Sequence, residues 1–208
     1  MRLAAIGLSH RRAPVAVREG VALTQSEVRR VVGELVGCGE GVEEAVVLST
    51  CNRTELYGWV RGVAGSAVLR RELEGWGRAR GVEVGAYLEG WAGESAARHL
   101  FRVVSGLESM VVGEVQIQGQ VREAYRNARE AGGAGAVLSR LFETALWVGG
   151  RVRAETGLSE GAASVASAAV ELAKKVFGNL RGRRAAVLGA GEMSELALVA
   201  LAAEGVEG

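Results

Sequence analysis

The sequence has few cysteine, proline and histidine residues, and its positive and negative charges are nearly balanced. Its 208 residues include two cysteines, one proline and two histidines, and 25 basic side chains face 24 acidic ones. Cys38 and Cys51 are too few and too far apart for a disulfide scaffold or a CxxC metal site. The sequence contains neither a signal-peptide pattern nor an apolar run near the ~18 residues that span a membrane. These absences predict a cytoplasmic protein that binds no metal and no membrane.

The charge balance also limits what the chain attracts. A net charge of +1 provides no global field for a polyanion. Contact with a nucleic-acid backbone would depend on local arginine pairs such as Arg11-Arg12, Arg29-Arg30 or Arg70-Arg71, and such pairs are more typical of a solvated surface. With 49% hydrophobic and 24% charged residues, the composition is that of a globular protein with a sizeable core.

The segment Ser49 to Tyr57, with the sequence STCNRTELY, combines a thiol, a guanidinium and short polar side chains after the buried-strand pattern AVVL. We expect Arg53 to favour the thiolate of Cys51 and to present a planar fork to a carboxylate. Thr50 and Asn52 add hydrogen-bonding groups. A free cysteine is also often a small buried hydrophobe, so the residues alone leave a nucleophile and a structural cysteine open.

Hydrophobic periodicity predicts two strand-helix-strand units at the start of the chain. The helix after Thr24 has a capping box with Glu27 and an apolar face. Strands are predicted over 3–8, 44–50, 54–60 and 84–88, and a second helix over 66–80. From Glu94 onward the pattern predicts helices over 95–104, 119–130, 135–155 and 164–177. Two such units in succession favour a ferredoxin-like α/β sandwich with added helices.

The last part of the sequence has the pattern of a dinucleotide-binding turn. A predicted strand over 185–188 runs into a glycine turn, and a helix follows over 195–203. The turn consists of Gly189, Ala190, Gly191, Glu192, Met193 and Ser194. The third fingerprint position is Ser194 instead of glycine or alanine, so a plain βα turn is the alternative. A lone βα unit cannot bury both faces of its strand, and we expect the chain to be a fragment of a longer protein.

These patterns define the predicted organisation. The fold class is α/β, with an α+β catalytic domain of ferredoxin-like βαβ units and added helices over 1–158. Residues 159–208 are predicted to begin a truncated Rossmann domain.

Five blocks of the sequence resemble the glutamyl-tRNA reductase family. They are GLSHRRAPV at 7–15, STCNRTELY at 49–57, SGLES at 105–109, GEVQIQGQ at 113–120 and GAGEM at 189–193. The resemblance implies NADPH-dependent reduction of glutamyl-tRNA(Glu) to glutamate 1-semialdehyde through a cysteine thioester, at the first step of 5-aminolevulinate and tetrapyrrole synthesis. It also implies a homodimer in the full-length protein, hand-over of the product to the following aminomutase, and no complete reductase activity in this fragment.

The resemblance also implies roles for individual residues. Cys51 is the nucleophile, His99 supports it, and the glycine turn at 189–194 binds NADPH. The implied substrate-binding residues are Thr50, Asn52, Arg53, Ser109, Glu114, Val115, Gln116 and Gln120. By spacing alone, Glu114 and Gln120 are equally typical of a helix-capping pair, and a single helical histidine such as His99 is often structural. His10 is interpreted as structural.

Two other functions are consistent with the cysteine and the glycine turn. One is a thioester-forming aldehyde dehydrogenase that acts on a small acyl compound without RNA, although such an enzyme has no need of the block at 109–120. The other is a non-enzymatic nucleotide-binding regulator in which Cys51 is structural. If Cys51 is a thiolate nucleophile, it should alkylate much faster than Cys38 near neutral pH.

Overall fold

Two strand-helix-strand units build the first half of the protein in the computed structural model, which describes residues 1–159, 165–189 and 192–207. The strands are β1 (Arg2–Ser9), β2 (Val42–Ser49), β3 (Arg53–Val60) and β4 (Glu89–Ala92). The helices are α1 (Val15–Glu19), α2 (Gln25–Gly37), α3 (Gly62–Ala79), α4 (Glu94–Val104), α5 (Gln116–Glu130), α6 (Ala136–Glu155), α7 (Val165–Phe177) and α8 (Glu192–Ala203).

The four strands form one antiparallel sheet in the order β2-β3-β1-β4. This order, with α2 and α3 as the connections, confirms the predicted ferredoxin-like arrangement. In β3, Leu56 is opposite Ile6, and the residues before and after it are also buried. Both faces of β3 are covered: α4 and α6 place His99 and Phe142 on the face that carries Tyr57, and Leu69 of α3 lies against Gly58 on the other face. A strand buried on both faces shows no clean alternation of apolar and polar residues.

The capping box of α2 is confirmed. Thr24 accepts a hydrogen bond from the backbone N–H of Glu27, whose carboxylate accepts one from the Thr24 backbone N–H at 2.8 Å. Two otherwise unsatisfied N–H groups at the helix start are thereby paired. The helix begins at Gln25, as its sequence predicts.

The start of α6 is capped by a residue distant in sequence. The buried carboxylate of Glu44, on β2, accepts hydrogen bonds from the backbone N–H groups of Val137 at 3.1 Å and Leu138 at 2.6 Å. A side chain at Gly135 would collide with this carboxylate, because a Cβ there would lie 2.6 Å from Glu44 Oε1. The contact stabilises the helix start and joins α6 to the edge of the sheet.

Two sequence-based predictions are wrong, and one short helix was not predicted. Residues 84–88 form no strand: Gly85–Tyr87 is a 3₁₀ turn, and the fourth strand is β4. Val84 and Leu88, which flank this turn, are buried in the hydrophobic core, and this burial explains the apolar pattern. The helix α1 was not predicted; its five residues are too few to show helical periodicity.

The predicted strand over 185–188 is also absent. In the described part of the segment, the only strand-type pairing is an isolated parallel bridge between Arg184 and Glu207, and Leu188 is 97% exposed. A single bridge forms no ladder that would define a strand. The helices α7 and α8 pack together, and Lys174 of α7 lies 3.0 Å from Glu204, the residue after α8. The predicted domain division at 158/159 stays a prediction. In the described ranges, each helix is too short or too polar to cross a membrane.

Candidate active site

Cys51 lies at the tip of the hairpin that joins β2 to β3. Thr50 closes the turn: its backbone N–H donates to the Arg53 carbonyl at 2.8 Å, and its hydroxyl accepts from the N–H groups of Asn52 and Arg53, each at 3.2 Å. Asn52 is half-buried, and Cys51 is exposed. The hydroxyl of Thr50 therefore holds a rigid turn that presents the thiol at the surface.

The segment after β1 supports this turn from outside. Arg18, on α1, donates from Nε to the Cys51 carbonyl at 3.1 Å and from Nη1 to the Ala13 carbonyl at 2.7 Å. The backbone N–H of His10 donates to the Asn52 carbonyl at 2.8 Å. Arg18 is buried although it is an arginine on a five-residue helix. Sequence reasoning missed it, because nothing local marks which arginine lies against the cysteine.

The electrostatic environment of Cys51 differs from the prediction. Although Cys51 is exposed at the surface, the surrounding protein removes part of the water from its thiol, and this partial desolvation raises the pKa of Cys51. The nearby carboxylate of Glu114 raises the pKa further. The cation that opposes this is Arg18, whose charge lowers the pKa. The expectation that Arg53 makes Cys51 a thiolate has to be corrected, because the Arg53 guanidinium is buried and directed elsewhere. In the free chain the protonated thiol is favoured.

Glu114 and Ser109 lie on the loop between α4 and α5, which folds back toward the cysteine. The backbone N–H of Gly113 donates to the Gly106 carbonyl at 3.0 Å, and Gly106 has a φ of +77°, which favours glycine. Glu114 is buried, which raises its pKa, although a hydrogen bond from Ser109 and the charge of Arg53 oppose this shift. The structure thus brings Cys51, Ser109 and Glu114 together from two distant parts of the sequence.

The remaining predicted substrate residues lie at the start of α5. Val115 precedes the helix and is 52% exposed, and its side chain caps no N–H group. Gln116 is the first helical residue and is half-buried. Gln120, one turn later, lines a pocket of about 220 Å³ together with Ser49 near the hairpin tip. The alternative in which Glu114 and Gln120 cap this helix is excluded, because the residue at the cap position is Val115.

A buried polar network lies on one face of β3. Arg53, Glu55 and Tyr57 are two residues apart, so their side chains share that face. Arg53 Nη1 lies 2.8 Å from Glu55 Oε1, and the Tyr57 hydroxyl donates to Glu55 Oε2 at 2.6 Å. Arg53 also donates from Nη2 to the backbone carbonyl of Glu108. The guanidinium is therefore held by the protein on two sides.

His99 joins this network from α4. Its Nε2 lies 3.0 Å from Glu55 Oε1, and its ring stacks on Trp91 with the ring centres 3.7 Å apart. Burial opposes ionisation of Glu55, but the charge of Arg53 and the hydrogen bonds from His99 and Tyr57 lower its pKa to about 2. Because Glu55 is a carboxylate, the hydrogen bond places a proton on His99 Nε2.

Sequence reasoning missed the central role of Glu55. A charged residue within an apolar strand needs a partner of opposite charge, and Arg53, two positions earlier, lies on the same face. This local signal identifies the Arg53-Glu55 pair. Neither His99 nor Trp91 can be assigned to it from sequence, because they come from other elements.

The predicted cofactor turn is described only in part. Gly189 has a φ of +129°, and a Cβ there would lie 3.0 Å from the Ser194 hydroxyl oxygen. Ala190 and Gly191 lie outside the described residues, and α8 begins with Glu192 and Met193. The described part of this turn consists of Gly189 and the start of α8, where helix N-terminal N–H groups can bind an anion such as a dinucleotide phosphate.

These features define a ferredoxin-like α+β domain with a cysteine-centred site at a hairpin tip. The family model of the glutamyl-tRNA(Glu) reductase N-terminal domain matches residues 6–156. A glutamyl-tRNA reductase of Rubrobacter xylanophilus is 52% identical over 99% of this chain and 48% of its own length. That of Deinococcus radiodurans is 46% identical over 97% of this chain and 55% of its own length.

A solved structure agrees with the sequence relatives. The glutamyl-tRNA reductase of Methanopyrus kandleri is 36% identical, with a TM-score of 0.66 over 98% of this chain and 47% of that chain. The chain therefore belongs to the glutamyl-tRNA reductase family, as its motifs predict. It spans about half the length of the relatives it matches.

Proposed function

We propose that this chain carries the glutamyl-accepting half of an NADPH-dependent glutamyl-tRNA reductase, which produces glutamate 1-semialdehyde for 5-aminolevulinate and tetrapyrrole synthesis. The observation that carries the proposal is the position of Cys51, exposed at a rigid hairpin tip and close enough to Glu114 for that carboxylate to raise the pKa of the thiol. A fixed nucleophile beside a charged recognition group is what acyl transfer from an amino-acid ester requires.

In the first step, Cys51 Sγ forms a bond to the carbonyl carbon of the glutamyl ester. The bond from that carbon to the ribose oxygen of the tRNA breaks, and the proton released from the thiol ends on that oxygen. The products are a glutamyl thioester on Cys51 and free tRNA. A thioester accepts hydride more readily than an oxygen ester, because sulfur donates less electron density into the carbonyl group.

Glu114 links substrate recognition to activation of the thiol. Its buried carboxylate can pair with the α-ammonium group of the glutamyl substrate, while Ser109, which already bonds to it, holds it in place. Pairing neutralises the negative charge that raises the pKa of Cys51. The thiolate therefore forms preferentially when the substrate is bound, which protects a free thiol from side reactions.

Arg53 is proposed as the anchor for the side-chain carboxylate of the substrate. A guanidinium has five N–H donors, and the bonds to Glu55 and to the Glu108 carbonyl leave others for a ligand. Thr50 and Asn52 shape the turn, and Gln116 and Gln120 offer neutral partners that distinguish glutamate from its analogues. His99 is proposed to support the site through its fixed orientation beside Glu55.

NADPH, when bound, supplies the hydride that converts the thioester to an aldehyde. The residues proposed to hold it are those of the turn from Gly189 to Ser194, at the start of α8. The remaining proposals concern the whole protein: a homodimer, glutamyl-tRNA(Glu) as substrate, hand-over of the aldehyde to the following aminomutase, and a cytoplasmic location.

Single-turnover deacylation of glutamyl-tRNA tests the proposal. The 208-residue chain is mixed with tRNA that carries radiolabelled glutamate, and labelled protein is trapped by acid precipitation. We expect a covalent glutamyl adduct with the unmodified chain and with Cys38→Ser, and none with Cys51→Ser. An adduct that persists in Cys51→Ser, or its absence from the unmodified chain, would contradict the proposal.

A further inference from the structure

A pocket of about 470 Å³ opens beside the buried network, between the loop after β1, the strand β4 and the helix α4. Arg53 and His99 form part of its wall, and Trp91 lies next to them. The pocket therefore adjoins the proposed glutamate site.

The walls of this pocket concentrate positive charge. They carry five arginines and two glutamates, although the whole chain has a net charge of only +1. Apart from the buried Arg53, the arginines are Arg11, Arg12, Arg98 and Arg102, with side chains 49% to 71% exposed. Two of them are neighbours in the loop after β1, and the other two lie one turn apart on α4. Two separate elements thus direct guanidinium groups into one cavity.

Each of these arginines pairs with a carboxylate, but that pairing leaves some of the N–H donors of its guanidinium group for another ligand. Glu108 is shared, at 2.7 Å from Arg11 Nη1 and 2.6 Å from Arg102 Nε. Arg12 lies 3.2 Å from Glu89, and Arg98 lies 2.6 Å from Glu94, which is 84% exposed. Glu108 is buried, but the pairs of Arg12 and Arg98 are open to solvent and contribute little free energy, so an incoming anion can compete for these two guanidinium groups or add to them.

We infer that this arginine pocket binds phosphates of the single-stranded 3′ end of the tRNA. The inference rests on the proposed function, which places the esterified ribose at Cys51. Several guanidinium groups around a cavity, with an aromatic ring on its wall, are typical of sites that bind single-stranded nucleic acid through phosphate contacts and stacking. Trp91, stacked on His99, supplies such a ring at the pocket wall.

The test compares two double variants that remove the same charge. Arg12→Gln/Arg98→Gln alters the pocket and leaves the arginines that pair with Glu108 in place. Arg30→Gln/Arg61→Gln is the control, because it also breaks one helical i,i+4 pair and one pair between distant residues, both exposed. All measurements use Cys51→Ser as the background, so that the ester is not consumed during binding.

Affinity for glutamyl-tRNA(Glu) is measured by fluorescence anisotropy at several salt concentrations. For the pocket variant we expect a Kd about 10-fold weaker at physiological salt than for the control variant. The slope of log K against log salt should fall by about 1.4, since each phosphate contact with a single strand contributes roughly 0.7. Equal affinity and equal slope in the two variants would overturn the pocket assignment.

Two further measurements distinguish a failure of the pocket assignment from a failure of the proposed function. With tRNA that lacks its 3′-terminal CCA, the two variants should bind equally, and a persistent 10-fold difference would overturn the assignment to the single-stranded end. Adduct formation by the chain that retains Cys51 tests the proposed function independently. If the adduct forms but the variants bind alike, only the pocket assignment fails. If no adduct forms, the proposed function fails whatever the binding data show.

Discussion

Replacing Glu55 by Gln should destabilise the fold strongly. Gln keeps the shape of the side chain but removes its charge, which leaves the guanidinium of Arg53, 2% exposed, without an anionic partner. Breaking a buried ion pair by removing one partner costs about 3–5 kcal/mol. The lowering of the Glu55 pKa from 4.5 to about 2 leads to a similar figure, roughly 3 kcal/mol at neutral pH.

Urea denaturation followed by circular dichroism measures this loss. With an m value of about 2 kcal/mol/M, the unfolding midpoint should fall by roughly 1.5–2.5 M. The matched control is Glu94→Gln, which removes the partner of Arg98 in an exposed pair and should cost about 0.2–1 kcal/mol. A loss in Glu55→Gln as small as that of the control would refute the assignment of a buried, stabilising ion pair.

The pH dependence provides a second check on the same residue. Because the folded-state pKa of Glu55 is lowered, its contribution to stability is complete above about pH 4.5 and is lost as the pH falls toward 2. The difference in free energy of unfolding between the original chain and Glu55→Gln should therefore shrink across this range. A difference that stays constant from pH 5 to pH 2.5 would contradict the lowered pKa.

Three further predictions concern the site and the fold. Glu114→Gln should lower the pKa of Cys51 and increase its alkylation rate by iodoacetamide at pH 7, since it removes the negative charge that raises this pKa; an unchanged rate would argue against that contact. Glu44→Ala should lower the free energy of unfolding by about 1–3 kcal/mol in urea denaturation, because two buried N–H groups of α6 lose their acceptor. The control Glu43→Ala, at the exposed glutamate just before it, should lower it by less than about 0.5 kcal/mol. On α3, Gly65→Ala should destabilise the fold by about 1–3 kcal/mol, because the new Cβ would lie 2.5 Å from a backbone carbonyl oxygen. Gly75→Ala on the same helix should stabilise it by about 0.5–1 kcal/mol, since its Cβ meets nothing within 4 Å. Equal effects of the two substitutions on the melting temperature would refute this distinction.

The raised pKa of Cys51 also changes the expected comparison between the two cysteines. From the sequence, Cys51 should alkylate much faster than Cys38 near neutral pH if it is a thiolate nucleophile, a state that Arg53 was expected to favour. In the structure, both cysteines are exposed, but partial desolvation of the Cys51 thiol, together with the charge of Glu114, favours its protonated form. Rapid alkylation of Cys51 is therefore expected in Glu114→Gln, or with a bound ligand that neutralises the carboxylate, rather than in the free chain.

The sequence by itself determined much of the local structure and the family. Hydrophobic periodicity located β1 to β3 and the main helices, and Thr24 with Glu27 defined the start of α2, because these signals act between residues close in the chain. The motifs around Cys51 and Glu114 were sufficient to indicate glutamyl-tRNA reductase. The short elements β4 and α1 were missed, because four or five residues carry too little periodicity.

Only the tertiary structure decided the chemical environment of these residues. Glu44 caps a helix that begins more than 90 residues later, and His99 bonds to Glu55 across 44 positions. Arg18, rather than the neighbouring Arg53, lies against the hairpin of Cys51. The ionisation of a side chain depends on its burial and on the charges a few ångströms away. The folded chain brings those charges from distant segments, which local sequence patterns do not connect.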